Sequence, residues 1–288
     1  MTSTEKALRI ITADNPSPLT GPGTNTFLLG RDQIAVIDPG PDLPAHRQAI
    51  LAAAGHGRIS HIFVTHAHLD HSGGARALAQ ATGAPILGFG PAEAGRSAVM
   101  ARLAREGGIA GGEGLDRDFL PDIALADGAA VESDEWRLTA LHTPGHFAGH
   151  LSFRHEAVIF CGDVVMGWSS TLISPPDGDL ADYFRSLARL DSADARLLLP
   201  AHGAAVGDPA TRLAELAAHR RERTAQILSA LRAGPATAEN LARRIYEVPP
   251  ALIPAATRNV LAHLIALSEL GAVSTPGPIA ADSEFSPH

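Results

Sequence analysis

The 288-residue sequence has a single cysteine, Cys161, so no disulfide bond can form within the chain. A chain without disulfides suits a reducing compartment, and we expect a cytoplasmic protein. Apolar runs are short: those at 157–160 and Leu197–Pro200 fall far below the roughly 20 residues that a membrane-spanning helix needs. The opening segment, MTSTEKALRI, contains no apolar stretch of signal-peptide length. We therefore expect neither a membrane protein nor export by a signal peptide.

Positive charge is also scarce. The sequence has 23 Lys and Arg against 31 Asp and Glu, a net charge of −8, which excludes a general attraction to nucleic acid or anionic lipid. The acidic excess lies within residues 1–208, and residues 209–288 are nearly neutral, so the sequence gives no strong DNA-binding signal. The content of hydrophobic residues, 45%, and of charged residues, 19%, excludes a disordered, collagen-like or fibrous chain.

The first predicted domain covers residues 1–208. Short β-rich runs alternate there with alanine-rich helical stretches, which indicates a mixed α/β domain. Residues 91–127 are its least regular part. Their glycine clusters favour a surface loop over a flap that moves across a site.

A second, small and mostly helical domain is predicted for residues 209–280. Three helical patterns, at 210–232, 238–246 and 255–270, are followed by a short strand and a Pro-Gly turn. This is the order of a winged helix-turn-helix. Residues 281–288 are polar, and we expect a flexible tail.

The main chemical signal follows a predicted strand at 61–65. Four potential metal ligands occur within six residues, in the segment His66-Ala67-His68-Leu69-Asp70-His71. Imidazole nitrogens and carboxylate oxygens bind Zn²⁺ and similar ions, and a loop at a strand end can direct its side chains toward one point. The apolar strand before the segment and the glycines after it disfavour the alternative, a histidine-rich surface stretch.

Three further segments follow predicted strands, and each contains a histidine or aspartate next to a glycine. They contain His146, Asp163 and His202. Each is a weak signal by itself. Together they supply three more ligands from strand ends, where the loops of a layered α/β protein converge.

With these motifs, residues 8–208 resemble the metallo-β-lactamase superfamily, whose hallmark is H-x-H-x-D-H. The resemblance implies a four-layer αβ/βα sandwich with the site at one edge. It also implies one metal ion held by His66, His68 and His146, a second held by Asp70, His71 and His202, and Asp163 bridging both. A hydroxide between the ions would complete the centre and act as nucleophile.

Elementary chemistry supports this arrangement. Two divalent ions roughly 3.5–4 Å apart repel each other, and a bridging carboxylate such as Asp163 reduces that repulsion. The ions lower the pKa of bound water toward 7, so no serine or cysteine nucleophile is needed. We assign Asp70 a double role, as metal ligand and as the catalytic group that orients the hydroxide. Zn²⁺ is the favoured metal, and Mn²⁺ and Fe²⁺ accept the same ligands.

Neighbouring residues receive supporting roles. We expect His150 to support or pack against the site without ligating metal, and Cys161 to be a small buried apolar residue. Asp38, after the predicted strand 34–37, either fixes the tautomer of a ligand histidine or caps a turn. The resemblance leaves both roles for Asp38 open.

Hydrolysis is the reaction that the ligand set predicts, and the substrate is less constrained. The segment 15–26 and the winged-helix-like domain resemble a branch of the family that contains single-strand endoribonucleases and acyl-carrier thioesterases. We therefore favour a phosphodiester of the single-stranded RNA type. The alternatives are a thioester of the glyoxalase II or acyl-carrier type, a β-lactam, and a non-catalytic metal-binding scaffold.

The role of the second domain also has two interpretations. Its last predicted helix carries Arg258, Asn259 and His263, as a DNA-recognition helix could. A single arginine is a weak signal for that role. We favour packing against the first domain, shaping of the substrate site, or formation of a homodimer.

Overall fold

The structure is a computed structural model that describes residues 7–112 and 114–288. Residues 1–6, on which part of the expectation about export rests, lie outside the described residues. The strands are β1 Leu8–Thr12, β2 Asn25–Leu29, β3 Gln33–Ile37, β4 Arg58–Phe63, β5 Ile86–Gly88, β6 Ile123–Ala124, β7 Ala130–Glu132, β8 Arg137–His142, β9 Leu151–His155, β10 Val158–Gly162, β11 Leu197–Pro200, β12 Ala236–Thr237, β13 Val273–Ser274 and β14 Glu284–Pro287. The helices are α1 Pro44–Ala54, α2 Leu69–Ser72, α3 Ala75–Thr82, α4 Ala98–Glu106, α5 Leu180–Ser192, α6 Pro209–Leu231, α7 Ala238–Ile245 and α8 Ile253–Glu269, with a 3₁₀ turn at Pro250–Leu252.

Two sheets form the centre of the first domain. Strands β1 to β6 form one sheet in chain order, and the other has the order β11-β10-β9-β8-β7. Both mix parallel and antiparallel pairs: β3 pairs with β4 and β10 with β11 in parallel, whereas the other pairs in the second sheet are antiparallel. This mixture matches the predicted α/β class.

Alternation along single strands shows how the layers pack. In β3, Ile34 and Val36 face a core shared with α1 and α3, whereas Ala35 and Ile37 face the core between the sheets. In β10, Phe160 faces that central core and Cys161 faces a third core shared with α5 and α6. Because side chains alternate across a strand, each sheet is covered on both faces. The expected four-layer αβ/βα sandwich is confirmed.

The predicted ligand segments lie at one edge of this sandwich. Two parallel strand pairs end at this edge: β3 with β4, and β10 with β11. A segment that carries a predicted site residue follows each of the four strands. Because the ends of these strands converge on one edge, residues far apart in sequence become neighbours there.

The small domain consists of helices α6 to α8 and a three-stranded sheet in the order β12-β14-β13. Its core is apolar and includes Ile227, Leu241, Val260 and Leu264. The stretch Pro250–Glu269 is long and apolar enough to cross a membrane, but half of it is buried within the protein, as in an ordinary core helix. The winged-helix arrangement expected from the helix order is confirmed.

Two expectations were wrong. Residues 281–288 are not a flexible tail: β14 pairs with both β12 and β13, and Phe285 is fully buried. Within 91–127, expected to be a surface loop, α4 begins after the capping residue Ser97. This helix places Met100 and Leu103 in the core of the small domain, so part of the segment joins the two domains.

The correction for β14 gives a stability prediction. Replacing buried Phe285 by alanine removes a core ring, and we expect the free energy of unfolding to fall by about 3–5 kcal/mol in urea denaturation. Leu270→Ala is the matched control, because Leu270 is 81% exposed and its loss should cost less than about 0.5 kcal/mol. Equal small effects for both variants would show that the chain end does not pack against the domain.

Candidate metal centre

Three imidazoles form the first part of the site. Strand β4 ends at Phe63, and the chain then turns into α2, which begins at Leu69. His66 Nε2 lies 2.9 Å from His68 Nδ1, and His146 Nε2 lies 3.2 Å from the same atom. Three nitrogen lone pairs thus converge, as a metal ion with three histidine ligands requires.

A second group lies beside the first. Asp70 Oδ2 is 3.4 Å from His71 Nε2 and 3.3 Å from His202 Nε2. The short helix α2 carries both Asp70 and His71, and His202 comes from the loop after β11. One carboxylate and two imidazoles form a second potential binding site.

Asp163 stands between the two groups. Its Oδ2 is 3.6 Å from His71 Nε2 and 3.7 Å from His146 Nε2, and its Oδ1 is 3.3 Å from His202 Nε2. This is the position that a bridging carboxylate needs. The structure therefore brings together all seven predicted ligands, and metal binding by them stays a prediction.

Glycines allow two of these ligands to approach. Gly145 precedes His146 with φ +136°, and a Cβ there would lie 2.4 Å from Tyr183 Cα. Gly162 precedes Asp163 with φ +48°, and a Cβ there would lie 2.4 Å from His150 Nε2. Only glycine fits both the backbone conformation and the space at these positions.

Asp38 fixes two ligand histidines at once. It accepts hydrogen bonds from His71 Nδ1 at 3.0 Å and from the Thr65 backbone and hydroxyl at 2.7 and 2.8 Å. Because the Thr65 hydroxyl donates to Asp38, it accepts from His66 Nδ1, 3.0 Å away. Both imidazoles then carry hydrogen on Nδ1 and present Nε2 to the centre. Asp38 thus fills both roles left open by the sequence, tautomer control and turn capping.

Carbonyl oxygens orient two further ligand histidines in the same way. His146 Nδ1 donates to Leu172 O at 2.6 Å, and His202 Nδ1 donates to Gly23 O at 3.2 Å. The Asp163 backbone N–H donates to His150 Nε2 at 3.2 Å. The supporting role predicted for His150 is therefore confirmed, because its ring holds the backbone of Asp163.

Burial and neighbouring charges shift the pKa values of the ligand histidines in opposite directions in the two groups. Burial and neighbouring imidazoles hold the pKa of His66 well below its ordinary value and lower the pKa of His68 to about 3. Burial alone would lower the pKa of His202, but Asp163 and Asp70 raise it to about 10. Burial opposes ionisation of Asp163, yet His202 and His71 hold its pKa well below the usual range. The first group thus presents neutral nitrogens, and the second contains ionised carboxylates.

These donors fit two divalent metal ions. The atoms of each group of three lie within 4.8 Å of one another. His71 Nε2 and Asp163 Oδ1 are buried without a hydrogen-bond partner in the described part of the chain, although buried polar atoms are normally paired. Nitrogen and oxygen donors of this kind bind Zn²⁺, Mn²⁺ and Fe²⁺. A metal ion at each group would satisfy the unpaired atoms.

Cys161 is fully buried in the core shared with α5 and α6, as predicted. Burial raises the pKa of its thiol, so the residue remains a neutral apolar group. The sequence reasoning missed Thr171, whose hydroxyl lies 2.9 Å from His146 Nδ1, and the backbone contacts of Gly23 and Leu172. Contacts made by backbone carbonyls leave no signal in residue type.

A pocket of about 320 Å³ opens above the centre. Five of the seven ligands line it, and most of its remaining wall is apolar or carries only hydroxyl groups. The described residues around it are Ser17, Pro18, Leu19, Thr20, His68, Leu69, Asp70, Gly114, His146, Asp163, Met166, Trp168, Ser169, Ser170, Leu172 and His202. Segment 15–26, singled out from the sequence, thus supplies one wall.

Comparison with known proteins agrees with the fold and the site. Residues 19–202 match the family model described as metallo-beta-lactamase superfamily, and residues 237–277 match the beta-lactamase associated winged helix domain. A beta-lactamase-like protein 2 homolog of Caenorhabditis elegans is 29% identical, covering 94% of this chain and 87% of its own length. An atrochrysone carboxyl ACP thioesterase of Aspergillus chevalieri is 32% identical, covering 80% of this chain and 67% of its own length.

A solved structure extends the likeness to both domains. A metallo-beta-lactamase family protein from Thermus thermophilus superposes with a TM-score of 0.79 at 28% identity, covering 98% of this chain and 99% of its own. Fold and site together define a hydrolase with a histidine and aspartate cluster suited to two divalent metals. The chain belongs to the metallo-beta-lactamase superfamily.

The contacts of Asp38 give a prediction about metal affinity. Asp38→Asn removes an acceptor from His71 or Thr65 while tolerating the positive φ of 50° at this position. We expect Zn²⁺ affinity to fall about 10- to 100-fold in chelator competition. Asp42→Asn, at an exposed carboxylate nearby, should leave the affinity unchanged. Equal affinity in Asp38→Asn and the parent protein would contradict this role.

Proposed function

We propose that this hydrolase acts on acyl thioesters and uses two divalent ions, with Zn²⁺ the favoured metal. The observation that carries the proposal is the character of the pocket. Leu19, Met166, Trp168 and Leu172 give it an apolar wall beside Asp70. An acyl chain is apolar and a thioester is uncharged, so both suit such a wall.

The same wall is poorly suited to a polyanion. None of the described residues that line the pocket is lysine or arginine. Proteins that bind single-stranded nucleic acid normally follow its backbone with positive charge. This argues against the phosphodiester that the sequence favoured.

Arginines of the segment 91–127 do not supply that charge at the pocket. Arg96 is mostly buried and pairs with Asp177 at 2.7 Å, and Arg102 pairs with Glu269 at 2.8 Å. Their guanidinium groups join parts of the fold. The similarity to a protein named as an acyl-carrier thioesterase supports the thioester independently.

The residues that would hold the metals are those of the two groups described above. His66, His68 and His146 would bind one ion, Asp70, His71 and His202 the other, and Asp163 would contact both. Bound there, the ions supply Lewis-acid chemistry and make water acidic enough to react near neutral pH. Asp38 and the carbonyls of Leu172 and Gly23 hold the imidazoles of His71, His146 and His202 in the required tautomers.

The chain's own groups then handle substrate and proton. The apolar wall binds the acyl chain and excludes water from it, which leaves the thioester carbon at the Asp70 end of the pocket. The Asp70 carboxylate lines the pocket and accepts a hydrogen bond from the attacking water. Water adds to the carbonyl carbon, the C–S bond breaks, and the displaced proton passes to the thiolate. The products are a carboxylic acid and a thiol.

A phosphodiester is the second candidate, favoured by one observation. Trp168 is 49% exposed and lines the pocket, and its indole could stack on a base. The indole lies against Gly203, where a Cβ would come within 2.7 Å of its Cδ1. The same packed ring can equally support an acyl chain.

A parallel assay separates the candidates. Zinc-loaded protein is incubated with octanoyl thioester, single-stranded RNA and a chromogenic β-lactam, with metal-stripped protein as control. We expect turnover of the thioester only, and its loss in Asp70→Ala, which removes the carboxylate from the pocket. Cleavage of RNA alone would establish the phosphodiester candidate, and lactam turnover alone would establish the β-lactam alternative. No turnover of any substrate by metal-loaded protein would support the non-catalytic scaffold.

Trp168 gives a prediction about chain-length preference. Trp168→Ala removes an aromatic wall worth about 1–2 kcal/mol of apolar contact, so KM for octanoyl thioester should rise about tenfold. KM for acetyl thioester, which is too short to reach the wall, should change little. For octanoyl thioester, the KM of Trp168→Phe should lie between those of the parent protein and Trp168→Ala. A similar rise for both substrates would show that Trp168 does not contact the acyl chain.

A further inference from the structure

A buried arginine links the small domain to the metal centre. Arg220 lies on α6 and is 1% exposed, and in the described part of the chain no carboxylate forms an ion pair with it. Its Nη2 donates to Thr171 O, and its Nη1 donates to Asn259 Oδ1 at 3.1 Å. A buried charge without a carboxylate is costly unless polar groups solvate it. These two acceptors therefore fix where the guanidinium lies.

The segment that Arg220 holds is the one that orients His146. The Thr171 hydroxyl and the Leu172 carbonyl both lie against His146 Nδ1, at 2.9 and 2.6 Å. The next residue, Ile173, donates its backbone N–H to Asn259 Oδ1 at 3.0 Å. Residues 171–173 are thus anchored at both ends by side chains of helices α6 and α8.

A second contact supports His146 from the other side. Gly145 packs so closely on the backbone of Tyr183 that a Cβ at this position would collide with it, and the Arg220 guanidinium carbon lies 5.5 Å from the centre of the Tyr183 ring. Arg220 therefore contacts both residues 171–173, which accept the Nδ1 hydrogen of His146, and Tyr183, on which the backbone before His146 packs. Both contacts position the imidazole.

We propose that Arg220 and Asn259 are positioning residues through which the winged-helix domain sets the orientation of His146 and so the affinity of the first metal group. The proposal rests on the metal centre of the proposed function and is independent of the substrate. His146 can present Nε2 only while Nδ1 donates to residues 171–173. Loss of either anchor lets these residues shift, and the imidazole turns with them.

The position of Asn259 fits this role better than nucleic-acid recognition. Its Oδ1 is shared between Arg220 and Ile173, so its side chain is directed into the junction between the domains. His263, on the same helix, is fully buried and bonds to Thr224 on α6. Two of the three residues that could have marked a recognition helix are therefore used for packing.

The test measures metal binding directly. Metal-stripped variants are titrated with Zn²⁺ against a chromophoric chelator and with Co²⁺, whose visible absorption reports ligand geometry. We expect Asn259→Ala to weaken the first-group affinity about 10- to 100-fold and to alter the Co²⁺ spectrum. Asn259→Asp retains an oxygen acceptor for Arg220 and Ile173 and should restore both readouts. Arg220→Gln should weaken metal affinity as Asn259→Ala does. If Arg220→Gln fails to fold, the comparison of Asn259→Ala with Asn259→Asp tests the proposal.

Two controls separate positioning from general stability. Arg221→Gln changes the neighbouring arginine, which lies over Phe184 on the surface, and should leave metal affinity unchanged. In a His146→Ala background, Asn259→Ala should cause no further loss, because the ligand on which it acts is gone. Unchanged affinity in Asn259→Ala, or an equal loss in the His146→Ala background, would overturn the proposal. Failure of the parent protein to bind metal would instead defeat the proposed function.

Discussion

The structure depends on the burial of mutually facing imidazoles and carboxylates. Five histidines and two aspartates meet with neighbouring ligand atoms 2.9–3.7 Å apart, and five of the seven side chains are buried. Desolvated lone pairs and charges in such a cluster destabilise a fold unless cations or hydrogen bonds compensate them. The outer nitrogens of His71, His146 and His202 are compensated by the protein, through Asp38, Leu172 and Gly23. The inner atoms point at one another, and metal ions are the natural compensation.

The surrounding architecture serves that cluster. The two sheets bring strand ends together, and glycine at 145 and 162 lets the chain approach closely where side chains would collide. Helices of the winged-helix domain close the far side, where Arg220 and Asn259 hold the segment behind His146. The second domain is therefore part of the same packing arrangement as the metal ligands. This explains why its last helix is directed inward and gives little sign of nucleic-acid recognition.

Much of the site could be predicted from sequence because its ligands are chemically unusual and follow apolar strands. The seven candidate ligands were found in this way, whereas the four-layer fold and the division of the ligands between two ions were implied by the family resemblance. That resemblance also singled out segment 15–26, part of which lines the pocket. Contacts between distant residues were not predictable. Thr171 and Arg220 are common residue types, 49 positions apart, and they meet through a backbone carbonyl. Strand β14 was missed because it has four residues and a single buried apolar side chain, too few to show a pattern, and its pairing with β12 and β13 makes it a strand.

The most direct measurement is a crystal structure of the zinc-loaded protein with anomalous data collected at the zinc absorption edge. The account predicts two anomalous peaks, one among His66, His68 and His146 and one among Asp70, His71 and His202, with a carboxylate oxygen of Asp163 bound to each. A single peak, peaks elsewhere in the molecule, or an Asp163 side chain turned away from both ions would contradict it.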